Sequence, residues 1–163
     1  MAQKLELKFF DKEEIRKFAI ENSLIESKYN DDELYKFYLS LDAEKDSMIK
    51  QAETIKMIAS KNDCVIVGRC ADYILKDNSN LIKVFLYAPS EYRINKIKEM
   101  YKDTHKEAEK HVIQSDKSRA SYYEIIANKK WGAKENYDIC LDCSIGNEKI
   151  VNIICDYIKE KSK

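Results

Sequence analysis

A chain of 163 residues suits one domain with a sizeable core, since a domain near this size hides roughly 70% of its unfolded surface. Its 29 Lys plus Arg against 29 Asp plus Glu give zero formal net charge, which argues against a nucleic-acid or anionic-membrane partner and confines any anion site to a local cluster. No apolar run approaches the ~20 residues needed to span a bilayer, and the N-terminal Met1-Ala2-Gln3-Lys4-Leu5-Glu6 has no export segment, so a cytoplasmic protein is expected.

Three glycines and one proline among abundant Lys, Glu and Ile predict a mostly helical chain. Asp11 with Glu14 three residues on fits an N-cap and its reciprocal partner. Ile15, Phe18, Ala19 and Asn22 then share one face of a helix over residues 12–23. Leu34, Phe37, Tyr38 and Leu41 repeat at helical spacing, and after Asp42 a second amphipathic run carries Met48, Ala52, Ile55 and Ala59. At Cys64-Val65-Ile66-Val67 the period changes to a continuous β-branched run closed by Gly68, as in a strand buried on both faces. Residues 81–87 predict a second strand and 137–141 a weaker third. Helices are expected over residues 71–76, over 91–102 after Ala88-Pro89-Ser90, and over 104–127, where Thr104 and Glu107 form a capping box. A last helix over 148–161 carries Ile150, Ile153, Ile154 and Tyr157 toward the core.

Strands alternating with helices argue for a parallel sheet covered on both faces, with ligands beyond the carboxyl ends of its strands. Gly68-Arg69 lies at such an end, where a guanidinium can reach a phosphate with its bidentate fork; the competing account is a structural arginine paired with a helix or a carboxylate. Asp116 and Arg119, three apart on a long charged helix, share a face, although a charged helix face is ordinarily just solvated. Arg93 sits on the first turns of the helix after Pro89, where surface cations are equally ordinary.

Five cysteines, mostly within apolar runs, read as reduced buried thiols. Cys140 and Cys143 form a C-x-x-C, but strand residues three apart point to opposite faces and no second Cys or His pair lies nearby, so no metal site is expected. His105 and His111 are six apart, which spoils chelation from one helix face. Trp131-Gly132 fits a packing anchor under a loop better than a base-stacking platform.

Together these stretches resemble the cytidylate kinase-like family of the P-loop nucleoside monophosphate kinase superfamily. Cys64-Val65-Ile66-Val67-Gly68-Arg69 is similar to the strand and Gly-Arg turn that contact the acceptor nucleotide there. Residues 81–93, Leu81 through Arg93, resemble the next strand and the helix leading to the lid. Asp116-Lys117-Ser118-Arg119 is similar to the lid-side Asp-x-x-Arg element, and Asn136 through Ser144 resembles the last strand near the donor base. The resemblance implies an α/β, helix-rich, three-layer P-loop NTPase-like fold in a single domain over residues 1–163, with a lid-like helical region over about 90–130. It implies ATP-dependent phosphoryl transfer to a nucleoside monophosphate or a related small acceptor, with ATP and magnesium as cofactors. Arg69 would then hold the acceptor phosphate, Arg119 and Arg93 would close over the transferring group, and Asp116 would orient its neighbouring arginine. A small-molecule nucleotide is the expected partner, and a homo-oligomer is left open.

Two departures qualify that pattern. Cys70 stands where cytidylate kinases look like Gly-Arg-Asp, removing a carboxylate that could meet the acceptor. The phosphate-binding loop needs glycines, yet the first glycine here is Gly68. The resemblance begins at Ala2-Gln3-Lys4-Leu5, similar to the end of the helix following that loop, so the central first strand is missing from the pattern. An upstream segment of about 20 residues is the first explanation, a strand supplied by a partner the second, and a non-catalytic nucleotide-binding relative the third.

Overall fold

A computed structural model describes residues 1–25 and 41–161, except the side chains of 41–46, so the helical repeat at Leu34, Phe37 and Tyr38 lies outside the described residues. The chain divides into two compact units, Ala2–Ser79 and Asn80–Lys163, with Met1 grouped with the second.

The N-terminal unit opens with a single 3-10 turn, Gln3–Leu5, ended by Glu6 in the left-handed region. Strand β1 follows at Lys8–Phe10. It was not expected from the sequence, because three residues are too few to show an alternating pattern. Helix α1, Lys12–Glu21, starts where Asp11 accepts from the backbone N–H groups of Glu13 and Glu14 at 2.9 and 3.0 Å. The expected reciprocal bond from Glu14 is replaced by an ion pair with Lys17 at 2.6 Å.

Helix α2, Leu41–Lys61, leads to strand β2, Cys64–Ile66, which pairs in parallel with β1 in the register Lys8↔Cys64 and Phe10↔Ile66. The single-turn helix α3, Ala71–Ile74, completes the unit. Phe10, Ile15, Ile55, Ile58 and Ala71 form its core, with Phe18, Ile66 and Leu75 packed against them. Ile55 and Ile58 are 0% exposed, each burial contributing about 1.5–3 kcal/mol. Along α2 the buried face keeps Ile55 but runs through Ser47, Thr54 and Ile58, while Met48, Ala52 and Ala59 are only half-buried. Thr54 can be buried because its hydroxyl donates to the Lys50 carbonyl at 2.7 Å.

In the C-terminal unit, strand β3, Val84–Tyr87, pairs in parallel with β4, Ile139–Asp142, placing Val84 opposite Ile139 and Tyr87 opposite Asp142. Both strands start later than expected for one reason. The Asp138 carboxylate accepts from the Lys83 N–H at 2.7 Å while the Lys83 carbonyl accepts from Asp138 and Ile139, closing the mouth of the ladder with a side chain. Between them come helices α4, Ser90–Tyr101, and α5, His105–Ala127. Helix α6, Asn147–Lys161, follows a 3-10 turn at Cys143–Ile145. It buries Ile150, Ile154 and Cys155, whereas Ile153 faces solvent.

The described residues thus form a helix-rich α/β chain with two two-stranded parallel sheets, β1–β2 and β3–β4. The strands are accordingly not buried on both faces: Cys64, Val65 and Ile66 are half-buried, and Leu86 and Tyr87 are exposed. A strand with one ladder and few neighbours cannot lose its whole surface. No helix among the described residues is long and apolar enough to cross a membrane.

Candidate phosphate-binding residues

In the N-terminal unit, Arg69 follows β2 in a turn whose three residues are all left-handed: Gly68 at φ 73°, Arg69 at 57° and Cys70 at 54°. For a residue with a Cβ this region costs roughly 1–2 kcal/mol, so the turn holds Arg69 in a conformation that local sterics disfavour. The half-buried Arg69 side chain has no ion pair or hydrogen bond with any described residue, so the carboxylate partner of a structural arginine is not found there.

Cys70, the last residue of the turn, is buried and occupies the N-cap position of α3. Burial, and secondarily the Asp72 charge, pushes its thiol up to about 12 against the opposing influence of Arg69. The group is therefore a neutral thiol at ordinary pH and neither a nucleophile nor a counter-charge for the guanidinium.

In the C-terminal unit, α4 and α5 form a helical hairpin turned by Lys102, at φ 62°, and started again by a complete Thr104–Glu107 capping box. Ile94, Ala108 and Val112 form its core, with Ile97 against them. Asp116 lies one helical turn beyond Val112 and so continues this stripe as an acid on the face turned to α4. There it meets Arg93, whose Nη1 and Nη2 donate to Asp116 Oδ2 and Oδ1 at 2.7 and 2.5 Å. This is a fork-to-fork pair with both side chains about one-third exposed, 31% and 32%.

Arg119 stands on the same turn. Its Nη1 is 3.5 Å from Asp116 Oδ1, and its side chain is 59% exposed. The structure therefore brings together three of the four residues singled out in the sequence, while Arg69 lies in the other unit. The pairing of Arg93 with Asp116 was not legible: they are 23 residues apart, and their meeting depends on the register of two packed helices.

The remaining candidates settle into local roles. His111 pairs with Asp103 at 2.8 Å, and His105 lies 3.9 Å from Glu91. Cys140 is in β4, Cys143 begins the next turn, and all five cysteines are free thiols. Trp131 packs edge-on against Phe85, with ring centroids 5.5 Å apart, and Phe85 also stacks on Tyr137 at 4.8 Å. Gly132 is required in that cluster because a Cβ there would approach Phe85 Cζ to 3.0 Å, and its φ is 73°.

Fold and site define an α/β chain with a helical hairpin that displays a cation beside an internally neutralised pair. Comparison of the sequence with family models finds a match to the cytidylate kinase-like family over residues 1–145, and the chain belongs to that family. It is also similar to the crystal structure of an uncharacterized protein from Eubacterium ventriosum, at 26% identity and TM-score 0.78, covering 98% of this chain and 87% of that one. Among curated proteins none matches significantly.

Proposed function

We propose that this protein acts in phosphoryl transfer to a nucleoside monophosphate or a related small acceptor, and that its own residues hold the acceptor's phosphate. The observation that carries this reading is Arg119, an exposed guanidinium held beside a satisfied Arg93–Asp116 pair in a chain of the cytidylate kinase-like family. Phosphoryl transfer leaves a protein little covalent work, so its catalysts are positioned cations that meet charge on the phosphate oxygens. Arg119 supplies such a cation with its outer edge unspent. Arg69 supplies a second, in its own unit, on a turn of left-handed residues.

The family also implies ATP with magnesium. The residues present do not fit that group: the glycines stand singly at 68, 132 and 146, and no three His, Cys, Asp or Glu among the described residues could hold a metal ion. No step is therefore assigned to ATP or magnesium through these residues. The second reading is a nucleotide-binding relative without turnover.

One experiment separates the readings. A thermal melt with cytidine, uridine, adenosine and guanosine monophosphates at millimolar concentration is expected to raise the melting temperature with at least one, because a ligand that binds only the folded state stabilises it by mass action. Arg119→Ala should abolish that shift. An ATP–Mg turnover assay on the same protein then distinguishes a kinase from a binder. Absence of a shift with all four monophosphates would overturn both.

A further inference from the structure

Arg93 and Arg119 flank one carboxylate, yet their geometries differ. Arg93 takes both oxygens of Asp116 at 2.5 and 2.7 Å; Arg119 touches one of them from 3.5 Å. Two cations and one anion leave a single net positive charge, and the distances say where it lies: Arg93 is neutralised and Arg119 is not. Arg119 has no other partner among the described residues, and its side chain is the more exposed of the two, 59% against 31%.

We propose that Arg93 is a positioning residue that acts through Asp116: by occupying both carboxylate oxygens, it keeps Asp116 from closing on Arg119 and so leaves the Arg119 guanidinium available to a phosphate. This rests on the nucleotide reading above and assigns Arg93 a part in it other than direct phosphate contact. The spacing supplies the reason. Asp116 and Arg119 are three apart on α5, where opposite charges pair readily. With Arg93 gone, Asp116 has two free oxygens on the same turn as Arg119, so the arginine folds down onto it as a neutral bidentate pair. An incoming phosphate then meets no net cation and must break an ion pair before it can bind. With Arg93 in place, Asp116 still tethers Arg119 from 3.5 Å, limiting its rotamers without spending its donors.

A positioning residue and a direct phosphate ligand at position 93 respond differently when Asp116 is also removed. Calorimetric titration of the full chain with cytidine monophosphate, and separately with inorganic pyrophosphate, is expected to show binding weakened roughly ten-fold in Arg93→Met. In the double variant Arg93→Met/Asp116→Asn it should return to within roughly three-fold of wild type, because the competing carboxylate is gone. Its melting temperature should stay as low as that of the single variant, since the strut between the helices is still missing; affinity and stability therefore part company. Arg93→Lys, which keeps the charge but not the fork, should bind with intermediate affinity.

Unchanged affinity in Arg93→Met, or a double variant as weak as the single one, would overturn the proposal while leaving the nucleotide reading intact. Wild-type protein that binds neither probe and shows no melting shift with any of the four monophosphates would instead sink the nucleotide reading, and this inference with it.

Discussion

The 68–70 turn and the α4–α5 hairpin each present an arginine, and they hold it by different means. At the turn the backbone does the work: Gly68, Arg69 and Cys70 are all left-handed, and the Arg69 side chain pairs with no described residue. In the hairpin the backbone is regular helix and the arginines are set by a carboxylate, Arg93 by two short bonds and Arg119 by one long contact. The first arrangement should be sensitive to φ and indifferent to neutralising nearby acids. The second should tolerate backbone changes and respond to any change in local charge. The turn stores conformational strain that its unit's packing must offset, whereas the hairpin relies on helix packing and a partly exposed ion pair.

The largest expected effect is a break in the support beneath the turn. Ile55 is fully buried and shares a core with Ala71, the first residue of the helix that follows the turn. Ile55→Ala should cost about 2–5 kcal/mol in urea unfolding, through lost transfer energy and a cavity. A loss under about 1 kcal/mol would mean this core does not hold the strained turn in place.

Next comes a change in the turn itself. A Cβ on Gly68 meets nothing within 4 Å, so space is not the issue, but its φ is 73°. Gly68→Ala should therefore cost about 1–2 kcal/mol through conformation alone, and any monophosphate binding that depends on Arg69 should weaken with it. Stability unchanged within about 0.3 kcal/mol would contradict a backbone-held arginine. No comparable sensitivity is expected in the hairpin, where Arg93, Asp116 and Arg119 all lie within helices.

The two regions were also unequally legible. Pro89 before a charged helix and the Thr104-x-x-Glu107 box marked both helix starts of the hairpin to within a residue, because capping is local chemistry written in adjacent side chains. The strand before the turn was equally plain, read as Cys64 to Val67 and observed over Cys64–Ile66, one residue shorter than the glycine suggested. What escaped was set at longer range. The strand Lys8–Phe10 has almost no pattern of its own and exists by pairing with residues 64–66. The late start of β3 comes from a side chain 55 residues away, Asp138. The three left-handed residues at 68–70 were invisible beyond the first, since neither Arg nor Cys advertises a positive φ. Within the candidate site, the closeness of Asp116 and Arg119 was legible from their spacing on one helix, whereas the pairing of Arg93 with Asp116 was not, because a cross-helix ion pair depends on register.

The smallest effect concerns the hairpin's own foundation. Thr104 Oγ1 accepts from the Glu107 N–H at 3.4 Å, while Glu107 Oε2 accepts from the Thr104 N–H at 2.9 Å and from its hydroxyl at 2.6 Å. Thr104→Ala removes the side-chain half of this box and should cost about 1 kcal/mol. It should do so without changing phosphate affinity, because Asp116 lies three turns along α5. The hydroxyl bond first, and the backbone N–H second, hold the Glu107 carboxyl below its usual 4.5. A carboxylate depressed in the folded state adds stability that is fully present above the unfolded pKa and disappears as pH falls through the folded one. The wild-type advantage over Thr104→Ala should therefore be constant from neutrality down to about pH 5 and shrink below 4.5, as read from urea midpoints across that range. A gap that stayed level into acid would assign the cap's contribution to the Thr104 oxygen alone. A gap accompanied by weakened pyrophosphate binding would show that the start of α5 does reach Arg119, and the two ends of the hairpin would then have to be treated as one element.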